Sequence, residues 1–331
     1  MALKLGIIGT NWITKMLVAA AHESQAYQLT AVYSRHAETG QVFAAEFGDD
    51  VAVYTDLTTF MTSGIEVVYI ASPNSLHFGQ AKLAIEHDVH VIVEKSAFST
   101  PAEFEDIYTL LQYHPKVRLF EAARHIHQAN FHVLTKQVQA MSHISGATLV
   151  FEKYSSRFDD YLAGREPNVL TREFSAGALT DLGIYPLYVA ISLFGLPVSS
   201  HYFATKLTNG ADGRGTAILR YPNFDVTLIF GKGSNSYLQS EILGLRDTIT
   251  IDGISEFNEI AYHDGQGQTT VISEPLTENP MTAEMRVFAQ VMVEPITHDV
   301  DYRAWLMLSQ RVNLVLMQLR QDAGIIFPAD K

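Results

Sequence analysis

The first 121 residues alternate between short apolar or β-branched runs and amphipathic stretches, and that alternation leaves few folds open. The runs are Leu3–Gly9, Gln28–Ser34, Val51–Tyr54, Glu66–Ala71, Val89–Glu94 and Lys116–Glu121. Between them lie the helical stretches Trp12–His22, Ala37–Phe47, Asp56–Met61, Leu76–Glu86 and Ala102–Tyr113. In the first of these, Ile13, Met16, Leu17 and Ala20 recur with the helical period. Thr100 before Pro101 reads as an N-cap followed by proline at the first helical position. Strand–helix alternation requires parallel strands joined by helical crossovers. Val67-Val68-Tyr69-Ile70-Ala71 is apolar throughout, as a strand buried on both faces should be. The expected fold is α/β over residues 1–121, a Rossmann domain with a doubly wound parallel sheet that binds ligands beyond its carboxyl ends.

After Glu121 the pattern changes. A helix near Gln128–Met141 and a strand Ala147–Tyr154 lead to a long helix at about Gly177–Leu193. Strands then follow one another without helices: Ser199–Thr205, Thr216–Arg220, Asp225–Phe230, Tyr237–Leu243, Thr248–Ile251, Glu259–His263 and Thr269–Ile272. Asn209-Gly210, Asp212-Gly213 and Asp264-Gly265 mark expected turns. Helices near Met281–Val293 and Tyr302–Gln321 close the chain. Residues 122–331 therefore read as an α+β domain for substrate binding and dimerisation, with a large, mostly antiparallel sheet open on one face. Two domains also suit 331 residues, because single cores seldom grow that large.

Charge and cysteine content exclude several classes. The formal net charge of −13 gives the long-range field the wrong sign for nucleic acid or an anionic membrane. With no cysteine there are no disulfides, thiolate nucleophiles or cysteine-ligated metals, which suits a cytoplasmic protein. The N-terminus reads as a strand rather than a signal peptide, and no run approaches 18 apolar residues, so no membrane span is expected. His125, His127 and His132 cluster, but no carboxylate pattern completes a ligand set, so no metal site is expected.

The first strand–helix turn carries the candidate cofactor site. In a dinucleotide fingerprint, one glycine makes the tight turn and a second lets the pyrophosphate approach the backbone at a helix N-terminus. Gly9 fits the first position. Asn11 replaces the second glycine and Thr14 the third, with Thr10, Trp12 and Ile13 completing the turn and helix start. Asparagine tolerates left-handed backbone angles, which would preserve the turn. At the end of the second strand an NAD-binding chain carries a carboxylate for the ribose 2′-hydroxyl. Here Ser34 and Arg35 stand instead, and Arg35 suits a 2′-phosphate. NADP(H) is the expected cofactor, with NAD(H) the alternative. At the fifth strand's end Lys95 stands beside the cofactor crevice, where desolvation and a nicotinamide cation would lower its pKa.

Three segments resemble the Gfo/Idh/MocA (glucose–fructose oxidoreductase / inositol dehydrogenase-like) oxidoreductases. Glu94-Lys95-Ser96 is similar to the family's Glu-Lys-Pro motif, with serine in the proline's place. Ser72-Pro73-Asn74 with His77 resembles its nicotinamide-side loop. Gly177-Ala178-Leu179-Thr180-Asp181-Leu182-Gly183-Ile184-Tyr185-Pro186 resembles its second-domain helix. Glu121 with Arg124, and the stretch from Asp301-Tyr302 to Phe327-Pro328, match as well. The resemblance implies Lys95, Asp181 and Tyr185 as catalytic residues, with Glu94, Lys95 and Arg124 also near the cofactor. It implies an NAD(P)-dependent dehydrogenase or reductase acting on the CH–OH group of a small polyol, sugar or other alcohol, and a homodimer. A helical spacing of four puts Asp181 and Tyr185 on one face. A tyrosine, with a reference pKa of about 10, becomes a usable base beside a lysine ammonium. Either Tyr185 or Lys95 serves as the acid/base. The alternative reading is a cofactor-binding sensor of the same fold that turns nothing over.

Overall fold

In the computed structural model, which describes residues 2–331, the alternation becomes a six-stranded parallel sheet. The elements are β1 (Leu3–Ile8), α1 (Trp12–Glu23), β2 (Tyr27–Tyr33), α2 (Ala37–Ala44), β3 (Ala52–Tyr54), α3 (Leu57–Met61), β4 (Val67–Ile70), α4 (His77–Glu86), β5 (His90–Glu94), α5 (Pro101–Tyr113) and β6 (Leu119–Ala122). The strand order is β3-β2-β1-β4-β5-β6, all parallel, so the direction of winding reverses between β1 and β4. Successive β4 residues feed opposite cores. Val67 and Tyr69 pack with Leu5, Ile7 and Phe120, while Val68 and Ile70 pack with Ile8, Val91 and Val93. That two-sided burial is why the run is apolar throughout. Thr100 caps α5 by accepting the Glu103 amide at 3.2 Å.

The second part comprises α6 (Ala129–Ala140), β7 (Gly146–Glu152), α7 (Ser156–Leu162), a π-helical turn at Leu179–Gly183, α8 (Ile184–Phe194), and the strands β8 (Ser199–Lys206), β9 (Asp212–Arg220), β10 (Asp225–Gly231), β11 (Ser240–Leu243), β12 (Thr248–Ile251), β13 (Ile260–His263) and β14 (Thr269–Val271). These strands form one eight-stranded sheet in the order β14-β13-β12-β11-β7-β10-β9-β8. Only β7 and β10 pair in parallel. The row Tyr202, Ala217, Leu228 and Leu149 is buried beneath α8. On the other face Phe203 is 67% exposed, so that side of the sheet is open. The turn expected at Asp212-Gly213 is instead the start of β9. Asp212 is buried because its carboxylate accepts hydrogen bonds from the sheet and from the π-helical turn; the chain reverses at Asn209-Gly210, where Gly210 has φ +81°.

Helices α9 (Thr282–Val293) and α10 (Asp299–Asp322) complete the chain. The molecule divides into two compact units. One holds the chain up to Arg124 with Glu278–Ser309, and the other holds His125–Thr277 with Gln310–Lys331. The C-terminal stretch thus returns to the Rossmann unit: Phe288 of α9 stacks on Phe120 of β6 at 4.3 Å, and the Tyr27 hydroxyl donates to the Met285 carbonyl at 2.8 Å. The stretch Arg172–Phe194 is long and apolar enough to cross a membrane by length and composition. It is the core helix of the second unit, with 72% of its apolar window buried.

Candidate active site

The Rossmann turn departs from the expected geometry at Asn11. Gly9 has φ +103°, and a Cβ there would lie 2.8 Å from the Ala71 carbonyl oxygen, so this position requires glycine. Asn11 has φ −87° and ψ 178°, an extended conformation rather than the left-handed one expected. The left-handed residue is not needed, because Asn11 acts as the N-cap of α1. Its Oδ1 accepts from the Thr14 amide and hydroxyl, each at 3.1 Å, and its Nδ2 donates to Ala71 O at 3.1 Å. Thr14 is fully buried in the place of the third glycine. The amides of Thr10, Trp12 and Ile13 remain at the positive end of the α1 dipole, with Trp12 69% exposed. At the end of β2, Ser34 is half-buried and Arg35 exposed, and Arg35 has no ion pair or hydrogen bond among the described residues. A glycine turn, an exposed helix start and an unpaired cation at the β2 tip fit a phosphorylated dinucleotide.

Two loops at the carboxyl edge are tied together through His77. After β4, Ser72 donates its hydroxyl to Gln80 Oε1 at 2.7 Å, Pro73 precedes the 3₁₀ turn Asn74–Leu76, and His77 opens α4. The fully buried His77 ring places Nε2 2.8 Å from Ser72 O and Nδ1 3.0 Å from Ser96 O. Burial holds its pKa below the usual histidine value, against the two carbonyl contacts. Glu121 on β6 anchors the same loop by accepting the Ala97 amide at 2.9 Å. The Lys95–Ser96 peptide between these anchors is cis.

Next to Lys95 in sequence, the half-buried Glu94 interacts with a second carboxyl, the buried Glu284. Tyr69 donates its hydroxyl to Glu94 Oε1 at 2.5 Å. Burial raises the Glu94 pKa, opposed by the charge of Lys95, the Tyr69 bond and the charge of Arg124. Glu284 of α9, in the same unit, was invisible in the sequence. It is fully buried, and neither carboxyl oxygen has a hydrogen-bond partner among the described residues. Burial and the neighbouring Glu94 push its pKa well up, while Arg124 opposes them. An acidic residue in a helix's first turn reads as a dipole-favoured surface position, so the sequence carried no signal for it.

In the second unit, Asp181 and Tyr185 lie over two neighbouring strands. Asp181 sits in the π-helical turn and ion-pairs with Lys232, which follows β10. Tyr185 packs edge-on against Phe151 of β7 at 5.1 Å, and Phe151 pairs in register with Phe230 of β10. Asp181 thus lies in a π-helical turn rather than in the regular α-helix expected, a feature common at functional sites. The His125 ring lies tilted against that of Tyr185, 4.8 Å between centroids, with its Nε2 3.2 Å from the Tyr185 backbone carbonyl. His127 is buried, which drops its pKa to about 3 with help from His132. Among the described residues no group of three metal-ligating side chains converges. Lys232 is 2% exposed and escaped sequence reading, because a lysine between Gly231 and Gly233 looks like part of a turn.

Two family models cover most of the chain. Residues 3–134 match the Gfo/Idh/MocA oxidoreductase family, NAD-binding Rossmann fold, and residues 150–250 match the Gfo/Idh/MocA C-terminal domain. The chain belongs to the Gfo/Idh/MocA oxidoreductase family. Across 329 residues it is 38% identical to the uncharacterized oxidoreductase YgjR of Escherichia coli, covering 99% of this chain and 98% of that one. Across 332 residues it is 35% identical to IolU of Bacillus subtilis, a scyllo-inositol 2-dehydrogenase (NADP(+)), covering 99% of each. Among solved structures, aldose-aldose oxidoreductase from Caulobacter crescentus superposes with a TM-score of 0.83 at 19% identity, covering 98% of each chain. KijD10, a 3-ketoreductase from Actinomadura kijaniata solved with NADP, gives 0.83 at 17% identity over 97% of this chain and 98% of its own. These two likenesses establish the shared fold.

Proposed function

We propose that the protein is an NADP(H)-dependent oxidoreductase that interconverts a hydroxyl and a carbonyl on a small polyol or sugar. The observation that carries the reading is the joint position of Asp181 and Tyr185 over the ends of β7 and β10. Family membership and the NADP(+)-dependent relative support it. Gly9, Thr10, Asn11, Trp12 and Ile13 would hold the pyrophosphate, and Ser34 and Arg35 the 2′-phosphate. Ser72, Pro73, Asn74, His77, Glu94, Lys95 and Arg124 would bound the nicotinamide side. The bound nicotinamide supplies or accepts the hydride. Tyr185 takes the proton of the substrate hydroxyl on oxidation and returns it on reduction, Lys95 holds that hydroxyl, and Asp181 orients the substrate. Exchanging the roles of Tyr185 and Lys95 gives the second assignment. The open face of the eight-stranded sheet, with Phe203 at its edge, is the proposed contact of a homodimer.

Calorimetric titration with NADPH and NADH, followed by a panel of cyclitols, aldoses and their keto forms, tests the reading. Tight NADPH binding, weaker NADH binding and turnover of at least one panel member are expected. Nucleotide binding without turnover would favour a sensor, and failure to bind either nucleotide would overturn both readings.

A further inference from the structure

Lys232 is a buried cation in the interior of the second unit. Its side chain is 2% exposed. The ammonium pairs with the Asp181 carboxylate and donates to the Val169 carbonyl at 3.4 Å. Its backbone is fixed on both sides: the amide donates to Gly213 O at 2.8 Å, and the carbonyl accepts from Ser155 at 2.9 Å. Asp212, itself 2% exposed, is near enough to feel its charge. Asp212 in turn accepts the Leu179 amide and the Tyr202 hydroxyl, each at 2.6 Å. A Cβ at position 177 would overlap the Asp212 carboxylate, so Gly177 is what lets the π-helical turn lie on this cluster. Asp212 thus pins the start of the turn and Lys232 holds the Asp181 side chain within it.

A buried ammonium is costly unless paired, and a stability role alone is better met by an apolar residue. Here the partner is not buried with it, since the Asp181 side chain is 34% exposed. One end of the pair is locked in the protein and the other is partly exposed, four residues before Tyr185. A carboxylate has about four acceptor sites, more than an ion pair with one ammonium uses.

We propose that Lys232 is a positioning residue that fixes the Asp181 carboxylate as a preset acceptor for a hydroxyl of a neutral polyhydroxylated substrate. This rests on the functional reading above. The two charges sum to zero, so the dyad offers a directed acceptor without net charge, which suits an uncharged polyol. Preset acceptors strengthen binding because their orientation is not lost from solution freedom on association.

Lys232→Gln, Lys232→Arg, Asp181→Asn and the double variant Lys232→Gln/Asp181→Asn are compared with wild type on the best substrate of the panel, with NADPH affinity measured in parallel. Lys232→Gln should raise KM about tenfold while kcat stays within about threefold, since uniform substrate binding is lost. NADPH affinity should be unchanged and Lys232→Arg should recover most of the loss. The double variant should be no worse than Asp181→Asn alone, because one interaction is being removed twice. A merely structural lysine would lower kcat through loss of active protein and leave KM in place. An unchanged KM in Lys232→Gln, or fully multiplicative effects in the double variant, overturns the proposal while the function stands. Wild-type protein that turns over no panel member overturns both. Should Lys232→Gln fail to fold, Lys232→Arg against Asp181→Asn decides: a wild-type KM in the first with a raised KM in the second supports the proposal, and an unraised KM in Asp181→Asn overturns it.

Discussion

Asn11 Oδ1 accepts both the amide and the hydroxyl of Thr14 at 3.1 Å, so the residue in the second glycine's place builds a helix cap instead of opening the backbone. The third position is a buried threonine that uses the same cap. Asn11→Ala should cost about 1 kcal/mol of stability, the usual worth of such a cap. For units of this size that is a fall in Tm of roughly 2–4 °C. It should also weaken NADPH binding, because the Nδ2 bond that ties the turn to Ala71 is lost. Asn11→Gly should be milder, costing a few tenths of a kcal/mol and retaining NADPH binding, since glycine is tolerated at caps. Thermal denaturation and calorimetry read both. Equal loss in the two variants would mean that the cap is not what holds the turn.

Much of this architecture was legible because its physics is local. Val67–Ile70 is apolar at every position since both faces of β4 are covered, and Thr100-Pro101 starts α5 where a cap and proline predict. Gly9 could be placed from its position after the first strand, whereas Asp181 and Tyr185 are singled out by the family resemblance, with spacing adding only that residues four apart share a helical face. Long-range partners were not legible. Lys232 lies 51 residues from Asp181, and nothing around it distinguishes a buried ammonium from a turn lysine. Asp212-Gly213 reads as a turn until Leu179 and Tyr202 are seen to claim its carboxylate. The return of α9 to the Rossmann unit rests on Phe288 meeting Phe120 across 168 positions of sequence, taken as 288 minus 120. Helical periodicity marks a buried face but does not name the surface that buries it.

Arg35 supplies the next test. It is exposed at the tip of β2 and free of protein partners among the described residues, so its substitution should leave the fold intact. Arg35→Ala should weaken NADPH binding by about 10–100-fold, the worth of one or two charge-assisted hydrogen bonds. NADH affinity should be unchanged, and the NADPH preference should shrink with added salt in wild type but not in the variant. Equal effects on the two nucleotides would remove the 2′-phosphate assignment.

Lys95 and Tyr185 separate binding from chemistry. Tyr185→Phe keeps the ring that packs on Phe151 and His125 but removes the hydroxyl. It should lower kcat by about 10²–10⁴, the span of general acid–base catalysis, at unchanged NADPH affinity. Lys95→Met should do the same or more. Whichever variant retains measurable turnover with a flattened pH profile identifies the residue that carries the proton, and a wild-type kcat in both would remove the pair from the mechanism.

Glu284 makes stability depend on pH in a defined direction. Burial and Glu94 raise its pKa in the folded state above the unfolded carboxyl value near 4.5. Between those two values the folded chain holds a proton that the unfolded chain has released. Its contribution is therefore complete below about pH 4.5 and is lost as pH rises toward the folded pKa, with a slope of up to about 1.4 kcal/mol per pH unit. Glu284→Gln keeps the shape and removes the titration. The Tm difference between this variant and wild type should grow in the variant's favour as pH rises from about 5 to about 8. Glu94 also titrates high through burial and interacts with Glu284, so the difference between the two proteins reports the titration of the pair. A Tm difference that stays constant with pH would mean that Glu284 has the same proton occupancy folded and unfolded, and its burial beside Glu94 would then need another counter-charge than Arg124.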